Sequence, residues 1–319
     1  MYNTFLKKYK PQKYKDFTID KEFIDVLKTL ISIDTLNILF VGDKSSGKSS
    51  LLDATIREYY NLNNIPNNNV LYINNLHEQG ISYYRNEVKT FCQTPSSING
   101  KKKIIVIDDI DNINEQSQQV FRNCIDKYSH IVSFIASCNN TQKVVESIQS
   151  RCTILKIKPI EISLLKTIFK KIKNIENIEI TDDAENFILK ISNYSIRILI
   201  NYLEKLKLYQ SKITLDIAKN ICTNINFNEL EIYTKYLIDN NIHAAIKIIK
   251  KLFNTGYSVI DIIDCYYTFI KYTNIIDEDK KYQCIILISF YISRFYTIHE
   301  DTIELYFFTW DLKNKLSNK

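Results

Sequence analysis

The sequence predicts an α/β domain with a parallel sheet covered by helices on both faces, followed by a small helical domain and a larger all-helical domain. Three observations support this fold class. Short apolar runs alternate with helical patterns in the first half of the chain, and strand signals end after Pro159. The 319 residues include only 5 Gly and 4 Pro, too few for a turn-rich all-β protein. We expect domains at residues 1–158, 159–222 and 223–319.

Composition narrows the class of protein. A hydrophobic fraction of 45% with 24% charged residues excludes wholesale disorder. The net charge of +6 is compatible with a polyanionic partner but does not require one. The seven cysteines are scattered and never form C-x-x-C, which argues against a zinc site or a disulfide framework. The opening residues contain no apolar run that could serve as a signal peptide, and no later run is long enough to span a bilayer, so we expect an intracellular protein with no membrane segment.

Five short apolar runs are predicted to be buried strands, at residues 37–41, 70–73, 104–107, 131–136 and 152–157. Helical patterns at residues 49–60, 81–91 and 116–127 separate most of them. Buried strands that alternate with helices are typical of a parallel sheet. The run Lys101-Lys102-Lys103 is interpreted as the solvated entrance of the third strand.

After Pro159 helical periodicity replaces the strand pattern. Residues 160–208 are predicted to form several short helices, residues 211–226 a helical bridge, and the rest long helices rich in Tyr and Ile. We expect these aromatic side chains to pack between helices rather than to stack on nucleobases. Gly256 is expected to end one helix and Ser258 to cap the next.

The strongest motif fits the pattern G-x-x-x-x-G-K-S/T and lies between a predicted strand and a predicted helix. Its glycines allow consecutive backbone N–H groups to converge on one point, where a helix N-terminus adds partial positive charge. Lys48 would bind the β- and γ-phosphates, and the Ser49 hydroxyl would bind Mg²⁺. The predicted nucleotide-binding residues are Gly42, Asp43, Lys44, Ser45, Ser46, Gly47, Lys48, Ser49 and Ser50.

Two carboxylates follow the third predicted strand. Asp108 is expected to hold Mg²⁺ together with Ser49, and Asp109 to orient the attacking water. The chain has no N-K-x-D motif of the kind that reads guanine, since Asn314-Lys315-Leu316-Ser317 lacks the aspartate. The predicted cofactors are therefore ATP and Mg²⁺.

Three further motifs identify a family. Lys8-Tyr9-Lys10-Pro11 lies near the start of the chain, Ser150-Arg151-Cys152 before the fifth predicted strand, and Gly256-Tyr257-Ser258 in the helical half. They resemble the K-Y-R-P motif, the S-R-C box and the collar G-Y-S stretch of clamp-loader small subunits of the replication factor C type, which are AAA+ ATPases. Cys138-Asn139-Asn140 resembles the end of the family's sensor-1 strand, and Arg197 occupies the place of its sensor-2 arginine.

The resemblance implies a fold and a function. The fold would be a P-loop AAA+ domain followed by a helical lid domain and an all-α collar domain. The chain would be an ATPase that helps to open a sliding clamp and load it onto primer–template DNA. It would act within a hetero-oligomer of clamp-loader subunits, taken to be a pentamer, at the site of DNA replication.

The resemblance also implies roles for particular residues. Arg151 would act in trans on the γ-phosphate of ATP held by the adjacent subunit. Asn139 would help to position the water, and Arg197 would report the nucleotide state. The alternatives are a strand-edge ion pair for Arg151 and a surface helix position for Arg197.

DNA contacts are expected through the phosphate backbone without reading of bases. Arg85 and Lys89 lie four residues apart on one predicted helix and share a face. Together with Arg122 they are the candidates for DNA contact, and a merely solvated helix face is an equally open interpretation. The family places the clamp near residues 91–95.

One departure from the family bears on activity. Asp109 stands where the family usually has glutamate, so the carboxylate is retracted by about 1.5 Å, the length of one carbon–carbon bond. ATP binding is therefore predicted more firmly than fast hydrolysis. The alternatives are a structural clamp-loader subunit that does not hydrolyse ATP, and a different AAA+ ATPase that acts on DNA.

Overall fold

The structure is a computed structural model that describes residues 4–73, 81–209, 211–223, 225–295 and 297–317. The chain forms two compact units. The first comprises residues 1–165 with 195–197, and the second comprises residues 166–194 with 198–319. The expected domain boundaries after residues 158 and 222 stay predictions.

A single five-stranded parallel sheet organises the first unit, with the strand order β2-β3-β4-β1-β5. The strands are β1 (Ile38–Val41), β2 (Val70–Ile73), β3 (Lys103–Ile107), β4 (Val132–Cys138) and β5 (Thr153–Lys156). In the register of the central strands, Val41 of β1 lies opposite Cys138 of β4, and Ile107 of β3 lies opposite Ala136 of β4. The predicted parallel sheet is confirmed.

Helices cover both faces of this sheet. They are α2 (Lys21–Ser32), α3 (Lys48–Tyr60), α4 (Ile81–Gln93), α5 (Glu115–Tyr128) and α6 (Glu146–Gln149), and a short helix, α1 (Phe5–Lys8), precedes them in the chain. Side chains alternate along the strands, so that Leu39 packs with Phe121 of α5 on one face, whereas Ile38 and Phe40 pack with Leu51 of α3 on the other. The two faces therefore contribute two separate apolar cores.

The fifth strand is less buried than expected. Thr153, Ile154 and Lys156 are exposed, and 38% of the surface of Ile154 is accessible. The reason is that β5 lies at the edge of the sheet and, among the described strands, pairs with β1 alone. The interpretation of residues 152–157 as a buried strand was therefore right about the strand and wrong about its burial.

The lysine run before the third strand also differs from the expectation. Lys103 is 3% exposed, and its ammonium donates to the carbonyl oxygens of Phe91 at 2.6 Å and Thr94 at 3.2 Å. The ammonium also lies 3.8 Å from the centroid of the Phe91 ring. Lys103 is therefore a buried residue that holds the end of α4, not part of a solvated strand entrance.

The second unit is helical. Its helices, beginning with one that starts in the first unit, are α7 (Ile162–Ile175), α8 (Asp182–Ile191), α9 (Ile196–Leu208), α10 (Leu215–Ile221), α11 (Phe227–Ile238), α12 (Ile242–Asn254), α13 (Val259–Tyr272), α14 (Glu278–Arg294) and α15 (Thr302–Ser317). Within the described ranges, no helix is both long and apolar enough to cross a membrane.

Aromatic packing and a capped turn shape this unit. Three aromatic side chains are buried between helices, those of Tyr233, Tyr266 and Phe308. The Tyr266 ring packs edge-to-face against both others, with its centroid 5.5 Å from that of Tyr233 and 6.0 Å from that of Phe308. The predicted interhelical role of the aromatics is confirmed for these residues. Gly256, with φ of +104°, follows α12, and the Ser258 hydroxyl accepts the N–H of Asp261 at the start of α13, as predicted.

Candidate nucleotide-binding site

Three predicted parts of the site follow three strands of the sheet. Gly42 comes directly after β1, Asp108 after β3, and Asn139 after β4. Because these strands are parallel and β4 lies between β1 and β3, the three residues meet at the carboxyl edge of the sheet. Ligands of open α/β sheets bind at this edge.

The loop after β1 has the backbone that an anion site requires. Gly47 has φ of +92°, in the left-handed region that favours glycine, and leads directly into α3. No side chain of the described residues caps this helix, so its first N–H groups can serve a bound phosphate. At Gly42 space is the constraint, since an added Cβ would lie 3.1 Å from Ser46 Oγ and 3.2 Å from Ile157 Cβ.

Lys48 is the buried cation of this loop. It is 6% exposed, and its Nζ donates to Gly42 O at 2.9 Å, Asp43 O at 2.8 Å and Asn139 Oδ1 at 2.8 Å. Burial lowers the pKa of Lys48, and the carboxylates of Asp109 and Asp108 oppose that effect. The loop thus concentrates positive charge beside the uncapped end of α3.

Hydrogen bonds join the acidic residues to the neighbouring strand. Ser137 Oγ donates to Asp108 Oδ1 and accepts the backbone N–H of Asp109 at 3.0 Å. Asn139 Nδ2 donates to Asp109 Oδ1 at 3.1 Å. Because the Oδ1 of Asn139 also accepts from Lys48, one amide bridges the predicted phosphate-binding lysine and the predicted water-orienting carboxylate.

Burial and neighbouring charges shift the pKa of the Asp109 carboxyl. Burial raises its pKa, and the charge of Asp108 adds to the effect, whereas the charge of Lys48 and the hydrogen bond from Asn139 act against it. Its backbone is left-handed, with φ of +53° and ψ of +56°. A carboxyl with a raised pKa and a constrained backbone is typical of a functional position.

Sequence reasoning missed two residues of this network. Asp111 Oδ2 accepts the backbone N–H groups of Asn139 and Asn140, each at 3.1 Å, and so ties the end of β4 to the segment after β3. Ser137 is fully buried in β4. The available signals were a third aspartate in Asp108-Asp109-Ile110-Asp111 and a hydroxyl residue near the end of an otherwise apolar strand.

The residues fit the predicted cofactors chemically. Ser49 lies in the first turn of α3 and Asp108 follows β3, and hydroxyl and carboxylate oxygens are ligands that Mg²⁺ prefers. The uncapped helix start and the Lys48 ammonium match a polyphosphate. These residues would hold ATP and Mg²⁺ at the carboxyl edge of the sheet.

Arg151 lies at the opposite edge of the same sheet. It precedes β5, whose first residue, Thr153, is opposite Ile38 at the start of β1, whereas Ile157 donates its N–H to Val41 at the end of β1. Four residue steps along β5 correspond to about 13 Å. The structure therefore separates Arg151 from the loop that begins at Gly42 by at least the length of a strand.

The Arg151 guanidinium is at the surface in an ion pair. Its Nε donates to Asp126 Oδ1 on α5, its Nη1 donates to Ser147 O at 2.7 Å, and 31% of the side chain is exposed. Arg122 Nε lies 3.7 Å from the other oxygen of Asp126. The ion pair that was the alternative for Arg151 is thus present, and the exposure of the side chain leaves a role in trans open.

The remaining candidates lie on helices. Arg85 and Lys89 are exposed on α4, while Arg122 is half-buried on α5 and joins Asp126. Arg197 is exposed in the first turn of α9 and groups with the first compact unit, which contains the nucleotide loop. The structure brings together Lys48, Asp109 and Asn139, and it does not bring Arg151 to them.

Comparison with known families matches both halves of the chain. The family model described as "ATPase family associated with various cellular activities (AAA)" matches residues 38–159. The model described as "Replication factor C C-terminal domain" matches residues 229–296. The first match contains the nucleotide loop, the acidic residues and Arg151, and the second begins in α11.

Several curated relatives are named as replication factor C subunits. A replication factor C small subunit from Methanosphaera stadtmanae is 31% identical over 194 residues, which are 59% of this chain and 58% of that protein. The corresponding subunit from Picrophilus torridus is 29% identical over 60% of each chain. The chain thus matches less than two thirds of the length of these two relatives. A probable replication factor C subunit 2 from Dictyostelium discoideum is 26% identical over 87% of this chain and 82% of that protein.

Solved structures share the fold. A DNA polymerase III gamma subunit-related protein from Thermotoga maritima has a TM-score of 0.56 at 14% identity, covering 91% of this chain and 99% of that chain. The RuvB Holliday junction branch migration motor of the same organism has a TM-score of 0.53 at 17% identity, covering 72% and 79%. At such identities the likeness shows the fold alone. The two family models match in this order along one chain, and the curated relatives named above are replication factor C subunits, so the chain is similar to that family in both of its halves.

Proposed function

We propose that this chain is an ATP-hydrolysing subunit of a clamp loader, which helps to open a sliding clamp and load it onto primer–template DNA. It would work inside a hetero-oligomer, taken to be a pentamer, at the site of DNA replication. The similarity to replication factor C subunits supports this role, and the chemistry at the carboxyl edge of the sheet supports ATP and Mg²⁺ as the ligands.

One observation carries the proposal. The nucleotide loop and the Asp109–Asn139 pair lie at one edge of the sheet, while Arg151 lies partly exposed at the other edge. A chain built in this way presents half of an active site at each edge. Two such chains side by side would complete one site, which ties hydrolysis to assembly.

Each residue has a defined task in this scheme. Lys48 would bind the β- and γ-phosphates, and Asp109, held by Asn139, would orient the attacking water. Bound Mg²⁺ would neutralise charge on the phosphate oxygens. Arg151 of the adjacent subunit would stabilise the charge that develops on the transferred phosphoryl group, which a planar guanidinium does well. Arg197 would report the nucleotide state from the start of α9.

DNA and the clamp would be bound elsewhere on the first unit. Arg85 and Lys89 are exposed one turn apart on α4 and are suited to DNA phosphates, and Arg122 on the neighbouring α5 could join them. Such contacts weaken as the salt concentration rises, because the release of counterions into a more concentrated salt solution gains less entropy. The clamp would meet residues 91–95, at the end of α4.

Asp109 favours a second candidate function. Its shorter side chain, in place of the family's glutamate, is compatible with a structural subunit that binds ATP without hydrolysing it. Such a subunit would contribute Arg151 and its helical second unit to its neighbours. A different AAA+ ATPase acting on DNA is the remaining alternative, which a clamp-loading assay separates from both.

The test is Lys48→Ala in a complex assembled with the partner subunits, assayed for ATP hydrolysis and for loading of the clamp onto primed DNA. We expect the complex to lose the turnover of this chain, because the phosphates lose their buried cation. Lys28→Ala is the matched control, since Lys28 is exposed on α2 and its ammonium lies 3.8 Å from Asp25 Oδ1. An unchanged total turnover would favour the structural subunit, and a wild-type complex that loads no clamp would overturn the proposal.

A further inference from the structure

Two arginines and one aspartate form a surface cluster near the amino edge of the sheet. Asp126 lies near the end of α5, with Arg151 Nε bonded to its Oδ1 and Arg122 Nε 3.7 Å from its Oδ2. We call Arg122, Asp126 and Arg151 the arginine cluster. It lies at the other edge of the sheet from the nucleotide loop, so its geometry is not explained by anything that Lys48 or Asp109 does.

The contacts fix the orientation of the Arg151 guanidinium. Nε is held by Asp126, and Nη1 is held by the carbonyl oxygen of Ser147 at 2.7 Å and lies 3.4 Å from Ser150 Oγ. Over the described part of the chain, Nη2 makes no hydrogen bond. The inner edge of the guanidinium is therefore engaged by its own chain, and its outer end can still donate to an incoming anion.

The charge of the cluster favours an anion as well. One carboxylate is shared between two guanidinium groups, so the cluster keeps a net positive charge. The hydrogen bond from Arg151 lowers the pKa of Asp126, and the positive charges of Arg151 and Arg122 act in the same direction, so Asp126 is ionised at neutral pH. Asp126 can thus hold Arg151 without cancelling the attraction of the cluster for phosphate.

The ion pair between Asp126 and Arg151 is not explained by a contribution to the folding stability of the chain. The side chains of Asp126 and Arg151 are 43% and 31% exposed, and ion pairs with such exposure contribute little to folding. A free arginine side chain, in contrast, samples many rotamers and must lose that freedom before it can act on a substrate. Holding it beforehand removes this entropic cost from the reaction.

We propose that Asp126 is a positioning residue, which orients Arg151 toward the nucleotide of the adjacent subunit. This inference rests on the proposed function, since it assumes that Arg151 acts in trans. Asp126 would therefore affect ATP hydrolysis at the site of the adjacent subunit. Its own chain contributes Arg151 to that site. Asp126 acts through Arg151 and does not itself touch the nucleotide.

A double-mutant cycle in the assembled complex tests the inference. Four complexes are compared for ATP hydrolysis with saturating clamp and primer–template DNA, carrying wild-type chain, Asp126→Ala, Arg151→Ala or both substitutions. We expect Asp126→Ala to lower kcat roughly tenfold with little change in the KM for ATP, because a small misorientation of the guanidinium costs transition-state stabilisation. In the Arg151→Ala background the same substitution should have no further effect.

Two further variants serve as a conservative substitution and as a control. Asp126→Asn keeps the size of the side chain and should lower kcat in the same direction by a smaller factor, which covers the case in which Asp126→Ala fails to fold. Asp20→Ala is the control, because Asp20 forms a more exposed ion pair with Lys158 in the same unit at 2.6 Å, away from the arginine cluster. Its kcat should equal that of the wild type.

The outcomes separate the two proposals. If Arg151→Ala lowers turnover and Asp126→Ala does not, or if Asp126→Ala lowers it equally in both backgrounds, the positioning role is overturned and the proposed function stands. If Arg151→Ala leaves turnover unchanged, the action in trans fails and the positioning role fails with it.

Discussion

At the scale of single residues, Asp109 is where backbone and catalytic requirements conflict. Its left-handed backbone, with φ of +53°, is one that aspartate adopts more readily than longer side chains. A glutamate would reach about 1.5 Å further toward a bound nucleotide but would fit this backbone less well. Aspartate at position 109 therefore fits the left-handed backbone, but its carboxylate extends less far toward a bound nucleotide than that of glutamate would.

This conflict leads to a prediction for Asp109→Glu. We expect a higher rate of ATP hydrolysis in the assembled complex and a slightly lower melting temperature of the isolated chain, since reach improves and backbone fit worsens. Asp109→Asn is the control, because asparagine tolerates the same backbone but cannot act as a base, and its rate should fall on the order of 10²-fold. A glutamate variant slower than the wild type, or an asparagine variant that keeps its rate, would contradict the role given to Asp109.

Residues in a contiguous motif were predictable, and their partners from distant parts of the chain were not. Lys48 and Asp108 could be identified because a loop pattern and a strand end are local features. Ser137, which bonds to Asp108, and Asp126, which bonds to Arg151, are ordinary polar residues in sequence, 29 and 25 positions away from their partners. Such pairs become visible only when the sheet brings the strand ends and helix ends together.

At the scale of elements, strand positions followed from apolar runs, but the burial of individual side chains did not. The predicted residues 104–107 match β3 to within one residue, yet the strand begins with a buried lysine. Lys103 is tolerated there because its ammonium binds Phe91 O, Thr94 O and Thr94 Oγ1, at the end of α4. Sequence alone cannot reveal that acceptors lie within reach.

Removing this buried ammonium should loosen α4. We expect Lys103→Ala to lower the free energy of unfolding of the chain by about 2 kcal/mol, because the carbonyl oxygens of Phe91 and Thr94 lose a charged donor and a cavity opens. Urea denaturation measures the change. Lys101→Ala is the matched control from the same run, since Lys101 is only half-buried with its ammonium 4.4 Å from the Tyr59 ring centroid, and its effect should be much smaller. Equal effects of the two substitutions would show that Lys103 does not hold α4.

At the scale of the first unit, the parallel sheet decides which residues can cooperate within one chain. Every strand that contributes to the nucleotide site does so at its carboxyl end, while Arg151 precedes the amino end of β5. The order of residues along the chain does not by itself predict at which edge of the sheet the nucleotide loop or Arg151 lies, because that depends on strand direction and register. Once the register is known, Lys48 and Arg151 belong to different sites even though they lie in the same unit.

The last prediction follows from that separation. In the isolated chain, Lys48→Ala should abolish ATP binding, whereas Arg151→Ala should leave the Kd for ATP unchanged, because the guanidinium lies at the far edge of the sheet from its own nucleotide loop. Titration with a fluorescent ATP analogue measures both. In the assembled complex Arg151→Ala should nevertheless slow hydrolysis at the neighbouring site that Arg151 completes by a factor on the order of 10³, the scale of a missing arginine finger. If Arg151→Ala weakened ATP binding by the isolated chain, the guanidinium would act on its own nucleotide and the division of the site between two subunits would be wrong.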